Sequence, residues 1–243
     1  MQAYSNMMSG VDSYLITMDM FGMVHQTYFE RVEGTSPLDY QIQVRISGQT
    51  GWTSGDDEMA GSAGQPTREM FERLRQSAQL RGEHTIDGRR AYALVVDDPS
   101  DVFDPADLPA DEDFELQTMT LYIAADDYTV LGFDGEGSAR QNGRATDITM
   151  EMRASDFRTV NGMKHPFLTT MRIGGLTSGM SPQERSQLEE ARRQLEQLPA
   201  QQRAMMERMM GDQLEQLQRM ADGEAMEMQM RVVDLQVNVP RPN

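Results

Sequence analysis

The chain has 243 residues, with 39 acidic and 22 basic side chains, a formal net charge of −17 and no cysteine. Without thiols it has no disulfide framework, iron–sulfur cluster or cysteine nucleophile. An acidic surface opposes the phosphate contacts on which nucleic-acid binding depends, and no apolar run approaches the roughly 20 residues of a membrane-spanning helix. The length fits one large domain or two small ones, and we expect a single domain over residues 1–243.

Apolar and polar residues alternate with a period of two along most of the chain, which predicts β-strands. The alternation is cleanest at residues 40–46, where every second side chain is apolar: Tyr40, Ile42, Val44 and Ile46. Further strands are predicted at residues 14–20, 27–29, 80–86, 90–97, 115–123, 129–133, 146–157 and 165–173. This pattern is typical of an antiparallel sheet with one covered face and one face in water.

Glycine and aspartate pairs predict the turns between these strands. The predicted turns are Asp87-Gly88, Asp126-Asp127, Gly135–Gly137 and Asn161-Gly162. Gly135-Glu136-Gly137 is too short for a dinucleotide-binding fingerprint and no helix follows it, so we expect a hairpin turn there. A short N-terminal helix and a helix at residues 67–79 complete this part of the chain.

Residues 181–222 interrupt the strand pattern. Ser181 is suited to cap a helix, with Pro182 at the first helical position and Glu184 at the third. Pro199 then separates this helix from a second one that extends to about residue 221.

The last predicted element is a long strand at residues 224–239. Its apolar phase changes along the strand, from Met226, Met228, Met230 and Val232 to Val233, Leu235 and Val237. Such a change of phase indicates a β-bulge near Val232.

These elements predict an α+β fold that is mainly β. We expect a curved antiparallel sheet, an incomplete barrel of about 9–11 strands, with helices that cover its open side. The helical pair at residues 181–222 is expected to be an insertion before the last strand.

Catalytic and metal-binding motifs are missing from the sequence. His25, His84 and His165 lie in or beside predicted strands, and none has a metal-ligating neighbour two to four residues away. Glu83 directly precedes His84, and adjacent strand residues point to opposite faces. Neither a nucleophile elbow nor a phosphate-binding loop is present. We therefore predict that the protein is not an enzyme and requires no cofactor or metal.

A cluster of aspartates occupies residues 97–113. Its members are Asp97, Asp98, Asp101, Asp104, Asp107, Asp111 and Asp113. Calcium prefers clustered oxygen ligands, but the spacing of a known calcium loop is missing here. We expect a solvated acidic loop, with calcium binding as the alternative.

Methionine is the most unusual component, with 22 residues. It is flexible and polarizable, and it is over-used on surfaces that accept varied apolar partners. Two sets stand out, one on strand faces (Met150, Met152, Met226, Met228, Met230) and one along the helical pair (Met206, Met209, Met210, Leu214, Leu217, Met220). They predict either a core packed with methionine or a soft apolar cavity between a curved sheet and a helical lid.

Several segments carry a resemblance to a known family. They are Ser13-Tyr14-Leu15, Met20-Phe21-Gly22-Met23, Ile86-Asp87-Gly88-Arg89-Arg90-Ala91-Tyr92, Leu121-Tyr122-Ile123 with Tyr128-Thr129-Val130-Leu131-Gly132, and Asp156-Phe157-Arg158 with Val160-Asn161-Gly162-Met163-Lys164-His165-Pro166-Phe167. This run resembles the outer-membrane lipoprotein-sorting proteins of the LolA/LolB-like superfamily. The resemblance implies an incomplete barrel around an apolar cavity, helices at its mouth, and transport of acylated lipoproteins or other lipids through the periplasm.

The first functional hypothesis is an extracytoplasmic carrier that performs no covalent chemistry. It binds lipid, or the acyl chains of a lipoprotein, and a membrane-bound donor or acceptor protein is an expected partner. We expect a periplasmic or cell-envelope location, with an export signal removed upstream of Met1. The predicted ligand-binding residues are Ile42, Val44, Met150, Met152, Met228 and Met230 on the sheet, and Met206, Met210 and Leu217 on the lid.

The alternative hypothesis is a protein-interaction module. In that case the methionine stripe of the helical pair 181–221 docks against another protein, as amphipathic helices do in grooves. Deletion of residues 181–222 distinguishes the two hypotheses, because an interaction module would lose its partner whereas a carrier would lose only its lid.

Overall fold

The computed structural model describes residues 2–20, 22–33, 35, 37–48, 51–54, 68–102, 114–141, 144–175, 186, 190, 193 and 225–241. Helices α1 (Gln2–Met8) and α2 (Arg68–Ser77) and a 3-10 turn at Pro99–Asp101 accompany the strands. The strands are β1 (Ser13–Met20), β2 (Met23–Arg31), β3 (Tyr40–Ile46), β4 (Thr53–Ser54), β5 (Gln79–Ile86), β6 (Arg89–Val96), β7 (Phe114–Ala124), β8 (Val130–Gln141), β9 (Arg144–Val160), β10 (Met163–Gly174) and β11 (Met226–Val237).

All eleven strands belong to one sheet, in the order β4-β3-β2-β1-β11-β10-β9-β8-β7-β6-β5. Each neighbouring pair is antiparallel. Strands β1–β4 and β5–β10 are two meanders, and β11 lies between β1 and β10 and joins them. The sheet ends at β4 and β5 and is not closed, which confirms the predicted mainly β architecture and its open sheet.

The bulge predicted near Val232 is confirmed. Thr17 of β1 pairs with Asp234 and Met18 pairs with Val232, so Val233 has no partner on β1. An extra residue of this kind moves the following side chains to the other phase. Val233 is therefore 53% exposed, whereas Leu235 is only 5% exposed.

The predicted hairpin turn at Gly135–Gly137 is wrong, because these residues lie inside β8. Gly135 pairs with Met119 and Met150, and Gly137 pairs with Leu116 and Ile148. A Cβ atom on Gly137 would lie 2.2 Å from the backbone oxygen of Glu115, so only glycine fits where β7 approaches this closely. In a strand, glycine often marks such an approach of another backbone rather than a turn.

Two of the predicted hairpin turns have the backbone that tight turns require. Asp87 and Gly88 have φ angles of 48° and 80°, and Asn161 and Gly162 have φ angles of 47° and 87°. Positive φ at both central residues matches the right-handed twist of the flanking strands, which is why Asp-Gly and Asn-Gly are favoured there.

One face of the sheet, which we call the front face, is covered by α1 and α2. An N-terminal cluster packs Met8 of α1 against strands β1, β2, β10 and β11, and Tyr14 stacks on Phe29 with ring centroids 4.3 Å apart. A C-terminal cluster packs Leu74 of α2 against Val96, Met119 and Leu121. Phe71, one turn before Leu74, packs against the N-terminal cluster. Helix α2 therefore connects the two clusters.

Most of the predicted helical pair 181–222 lies outside the described residues. Its three described members, Ser186, Glu190 and Arg193, are helical and exposed. Within the described residues, no helix combines the length and the apolar character needed to cross a membrane.

Leu235→Ala should destabilise the protein by about 2–5 kcal/mol, because it leaves a cavity in the strand that joins the two meanders. Val233→Ala on the same strand is the matched control and should change the free energy of unfolding by less than about 0.5 kcal/mol, since Val233 is exposed. Urea unfolding measures both. Equal losses for the two variants would contradict this role of β11.

Candidate functional site

Two rows of residues cross the front face from β6 to β11. The first row is Leu94, Leu121, Phe133, Met152, Met171 and Met228, each paired with the next across adjacent strands. The second row is Val96, Met119, Gly135, Met150, Ile173 and Met226. Six strands at about 4.8 Å spacing give each row a length of about 24 Å. The rows form a continuous track that carries no charged side chain.

The part of this track on β9, β10 and β11 is rich in methionine. We call it the methionine band, and it consists of Met150, Met152, Met171, Ile173, Met226, Met228 and Met230. Every one of these side chains is half-buried. Within the described residues, no member of the band belongs to the N-terminal cluster, the C-terminal cluster or a third, smaller cluster around Tyr122 and Leu131. The band is therefore an apolar surface between the two packed clusters.

The glycine at position 135 shapes the border between the band and the C-terminal cluster. A Cβ atom there would lie 2.8 Å from Cδ1 of Leu116 and 3.7 Å from Cβ of Met150. The missing side chain thus leaves room for Leu116 beside Met150. Apolar contacts continue from β7 to β9 at this position.

The back face of the same strands carries charges. Glu151, Arg172 and Glu227 form a cross-strand row, because Arg172 pairs with both acids in the register. Its Nε donates to Oε2 of Glu227 at 2.8 Å, and its Nη1 lies 3.8 Å from Oε1 of Glu151. Because successive side chains of a strand point to opposite faces, the three charged residues of this row lie on the back face and the methionines beside them lie on the front face.

A second set of charges on the back face surrounds Asp127. Its carboxylate accepts hydrogen bonds from Lys164 and Thr129, and Nη2 of Arg89 lies 3.0 Å away. Burial acts to raise the pKa of Asp127, but these hydrogen bonds and the charge of Arg89 hold it well below its usual range. Both cations also lie over the ring of Phe157. The cluster ties the turn before β8 to β6 and β10.

Tyr122 and Arg153 form a smaller network on the back face. The Tyr122 hydroxyl donates to Oδ2 of Asp134 at 2.7 Å, and Nη2 of Arg153 lies 2.7 Å from Oδ1. Burial, together with the bond to Asp134, raises the pKa of Tyr122 to about 12. Tyr122 therefore remains a neutral hydrogen-bond donor and links β7, β8 and β9.

The structure brings four of the predicted site residues together. Met150, Met152, Met228 and Met230 lie in the methionine band on neighbouring strands. Ile42 and Val44 share the front face but lie on β3, with β2 and β1 between them and β11. Ile42 packs against the N-terminal cluster and Val44 is buried. The predicted lid residues Met206, Met210 and Leu217 lie outside the described residues.

The predicted site lacks Met171 and Ile173 of β10, which lie between the methionines of β9 and those of β11. The signal was available, because Phe167, Thr169, Met171 and Ile173 alternate along the strand. This signal was weak. Arg172, between Met171 and Ile173, is the only charged residue in that part of the strand, and the polar residues before it are threonines.

None of the histidines lies in the band. His165 is on β10 between Met163 and Phe167, two buried members of the N-terminal cluster. Burial lowers the pKa of His165 to about 4, so the imidazole is neutral near pH 7. His84 lies against Tyr122 with ring centroids 5.9 Å apart, and His25 pairs with Ile46 and Met18.

Among the described residues, no three His, Asp or Glu side chains are grouped to hold a metal ion. Of the acidic loop at residues 97–113, the part up to Val102 is described, and there Asp97, Asp98 and Asp101 are exposed. Asp98 accepts hydrogen bonds from the amide and hydroxyl of Ser100 and so caps the 3-10 turn. Calcium binding by the rest of the loop stays a hypothesis.

No protein-family model matches the chain, and no curated protein does. Several solved structures are similar to it, among them the following three. A DUF1329 family protein from Desulfovibrio piger shares 11% identity at a TM-score of 0.42, with 99% of this chain and 92% of that chain covered. A LolA superfamily protein from Nitrosomonas europaea shares 9% identity at 0.38, with the same coverage. The lipoprotein LppX from Mycobacterium tuberculosis shares 11% identity at 0.29, with 55% and 84% covered.

The neighbours thus include a member of the superfamily that the sequence resembles. At these identities and TM-scores, neither membership of that superfamily nor a ligand nor an activity follows for this chain.

His165 should make the fold sensitive to acid. Its pKa is lower in the folded protein than the ordinary value of 6.5, so the unfolded chain takes up a proton first as the pH falls. Stability should decrease between pH 6.5 and pH 4, by on the order of 3 kcal/mol. His165→Leu should remove this part of the slope in urea unfolding at stepped pH. An identical slope in the variant and the parent protein would show that His165 is not the cause.

Proposed function

We propose that the protein is an extracytoplasmic carrier that binds lipid, or the acyl chains of a lipoprotein, against the methionine band. The observation that carries the proposal is the continuous apolar track on the front face. Its β6–β8 half is packed against α2, whereas its β9–β11 half is only half-buried. An alkyl chain laid along this second half gains about 0.8 kcal/mol for each CH₂ group that it removes from water.

The chemistry of the band suits such a ligand. Thioether side chains adapt their shape through three rotatable bonds and offer no strong hydrogen-bond donor or acceptor. Binding is then non-directional and tolerates chains of different length and branching. The absence of directional bonds also suits a carrier, because a carrier must release its cargo.

The helical pair 181–222 serves as a lid over the band, with Met206, Met210 and Leu217 facing the ligand. The chain forms one domain, acts without a cofactor, and exchanges cargo with a membrane-bound donor or acceptor protein in the periplasm or cell envelope. The alternative, an interaction module that uses the helical pair 181–221, depends on residues outside the described ones and stays a prediction.

A charge in the centre of the band should abolish lipid binding. In Met171→Asp the carboxylate lies between Met152 and Met228, and burying it under an alkyl chain costs several kcal/mol without a partner. We expect at least a tenfold weaker binding of a fluorescent fatty acid, measured by titration.

Thr170→Asp is the matched control. Thr170 is the preceding residue of β10, is also half-buried, and points to the back face, where it pairs with Arg153 and Gln229. This variant should bind the fatty acid like the parent protein. Unchanged binding by Met171→Asp in a folded protein, or equal losses in both variants, would contradict the placement of the ligand on the front face.

A further inference from the structure

The central row of the methionine band places three thioethers side by side. Met171 pairs directly with Met152 on one side and with Met228 on the other. Met150 and Met226 flank them in the next row on the same face, on β9 and β11, and Met230 follows on β11. We propose that this row is a binding site for a soft monovalent cation, Cu(I), with the three thioether sulfurs of Met152, Met171 and Met228 as ligands.

The geometry of the row permits a shared ion. Neighbouring strands are about 4.8 Å apart, so the two outer methionines of the row are about 10 Å apart across Met171. A methionine side chain is unbranched and carries its sulfur two carbons beyond Cα, which lets the outer side chains lean towards the middle strand. Three sulfurs then converge above β10, on the front face.

The donor set selects the metal. Thioethers are soft ligands and favour Cu(I), whereas carboxylates and carbonyls suit Mg²⁺ and Ca²⁺ and imidazole suits Zn²⁺. The row and its flanking positions contain no carboxylate or imidazole, because Glu151, Arg172 and Glu227 point to the back face. Since thioethers are neutral, they bind the cation without releasing protons. The three side chains are half-buried, so an ion can reach them from the surface.

This site does not depend on the lipid proposal, because the metal needs the sulfur atoms and the lipid needs only an apolar surface. Ag(I) is a suitable probe, since it shares the charge and the softness of Cu(I) and is stable in air. Native mass spectrometry of the whole chain, titrated with silver nitrate in a chloride-free buffer, counts the bound ions. Competition with the Cu(I) chelator bicinchoninate, in the presence of a reductant, then measures the affinity of the protein for Cu(I) itself.

The test variant is Met152→Leu/Met171→Leu/Met228→Leu, which removes the sulfurs while nearly conserving side-chain volume. Met119→Leu/Met163→Leu is the control, because both residues are buried in the core clusters and lie outside the row. Circular dichroism and thermal melting verify that each variant is folded. We expect the parent and control proteins to bind one ion tightly and the test variant to lose it, with at least a tenfold weaker competition for Cu(I).

Three results would overturn the proposal. One is a parent protein that takes up no Ag(I) at stoichiometric concentration. The second is a folded test variant that retains the tight ion, or a control variant that loses it as well. The third is uptake of Zn²⁺ with the same affinity as Ag(I), which would show that the site does not prefer soft metal ions. None of these outcomes bears on fatty-acid binding, which is measured separately.

Discussion

The pairing of β11 with both β1 and β10 is the constraint on which the rest of the structure depends. Each meander is built from local hairpins, but the contact between the two meanders is made by the last strand of the chain. Its register is set on one side by Tyr14 to Met20 and on the other by Leu168 to Ile173. A one-residue slip on either side would turn methionines outward and charges inward. The bulge at Val233 changes the phase of the pairing with β1, so that Val232 and Leu235 are both buried although they are three positions apart.

The same pairing creates the apolar surface. Met226, Met228 and Met230 come from β11, and they reach the methionines of β9 only through Met171 and Ile173 of β10. On the back face the same three strands are joined by Arg172 with its two acidic partners. Within the part of the chain that the structure describes, these strands are held together by ion pairs and backbone hydrogen bonds, and no core cluster includes the band. In the proposed function, this apolar face is the surface that binds the ligand.

The sequence contained the local part of the fold. Period-two alternation located most strands, the Asp-Gly and Asn-Gly dipeptides located the turns at residues 87–88 and 161–162, and the change of phase located the bulge. It failed at Gly135–Gly137, because a glycine in a turn and a glycine beneath another backbone look alike in the sequence. The place of β11 between β1 and β10 was also beyond reach, since that pairing joins residues more than 200 positions apart and no local pattern encodes it.

The candidate site was predictable to the same extent. Alternation alone placed Met150 with Met152, and Met228 with Met230, on single strands. That the two pairs meet through Met171, and that two strands separate Ile42 and Val44 from β11, depends on the strand order. The lowered pKa of His165 likewise follows from the packing of the N-terminal cluster and not from its neighbours in sequence.

The most direct test of the account is chemical analysis of what the protein holds. The purified chain is extracted with organic solvent, before and after incubation with phospholipid vesicles, and the extract is examined by mass spectrometry. The account predicts fatty acid or phospholipid at close to one molecule per chain in the parent protein. An extract without lipid under both conditions would contradict it and would leave the methionine band as part of a self-filled core.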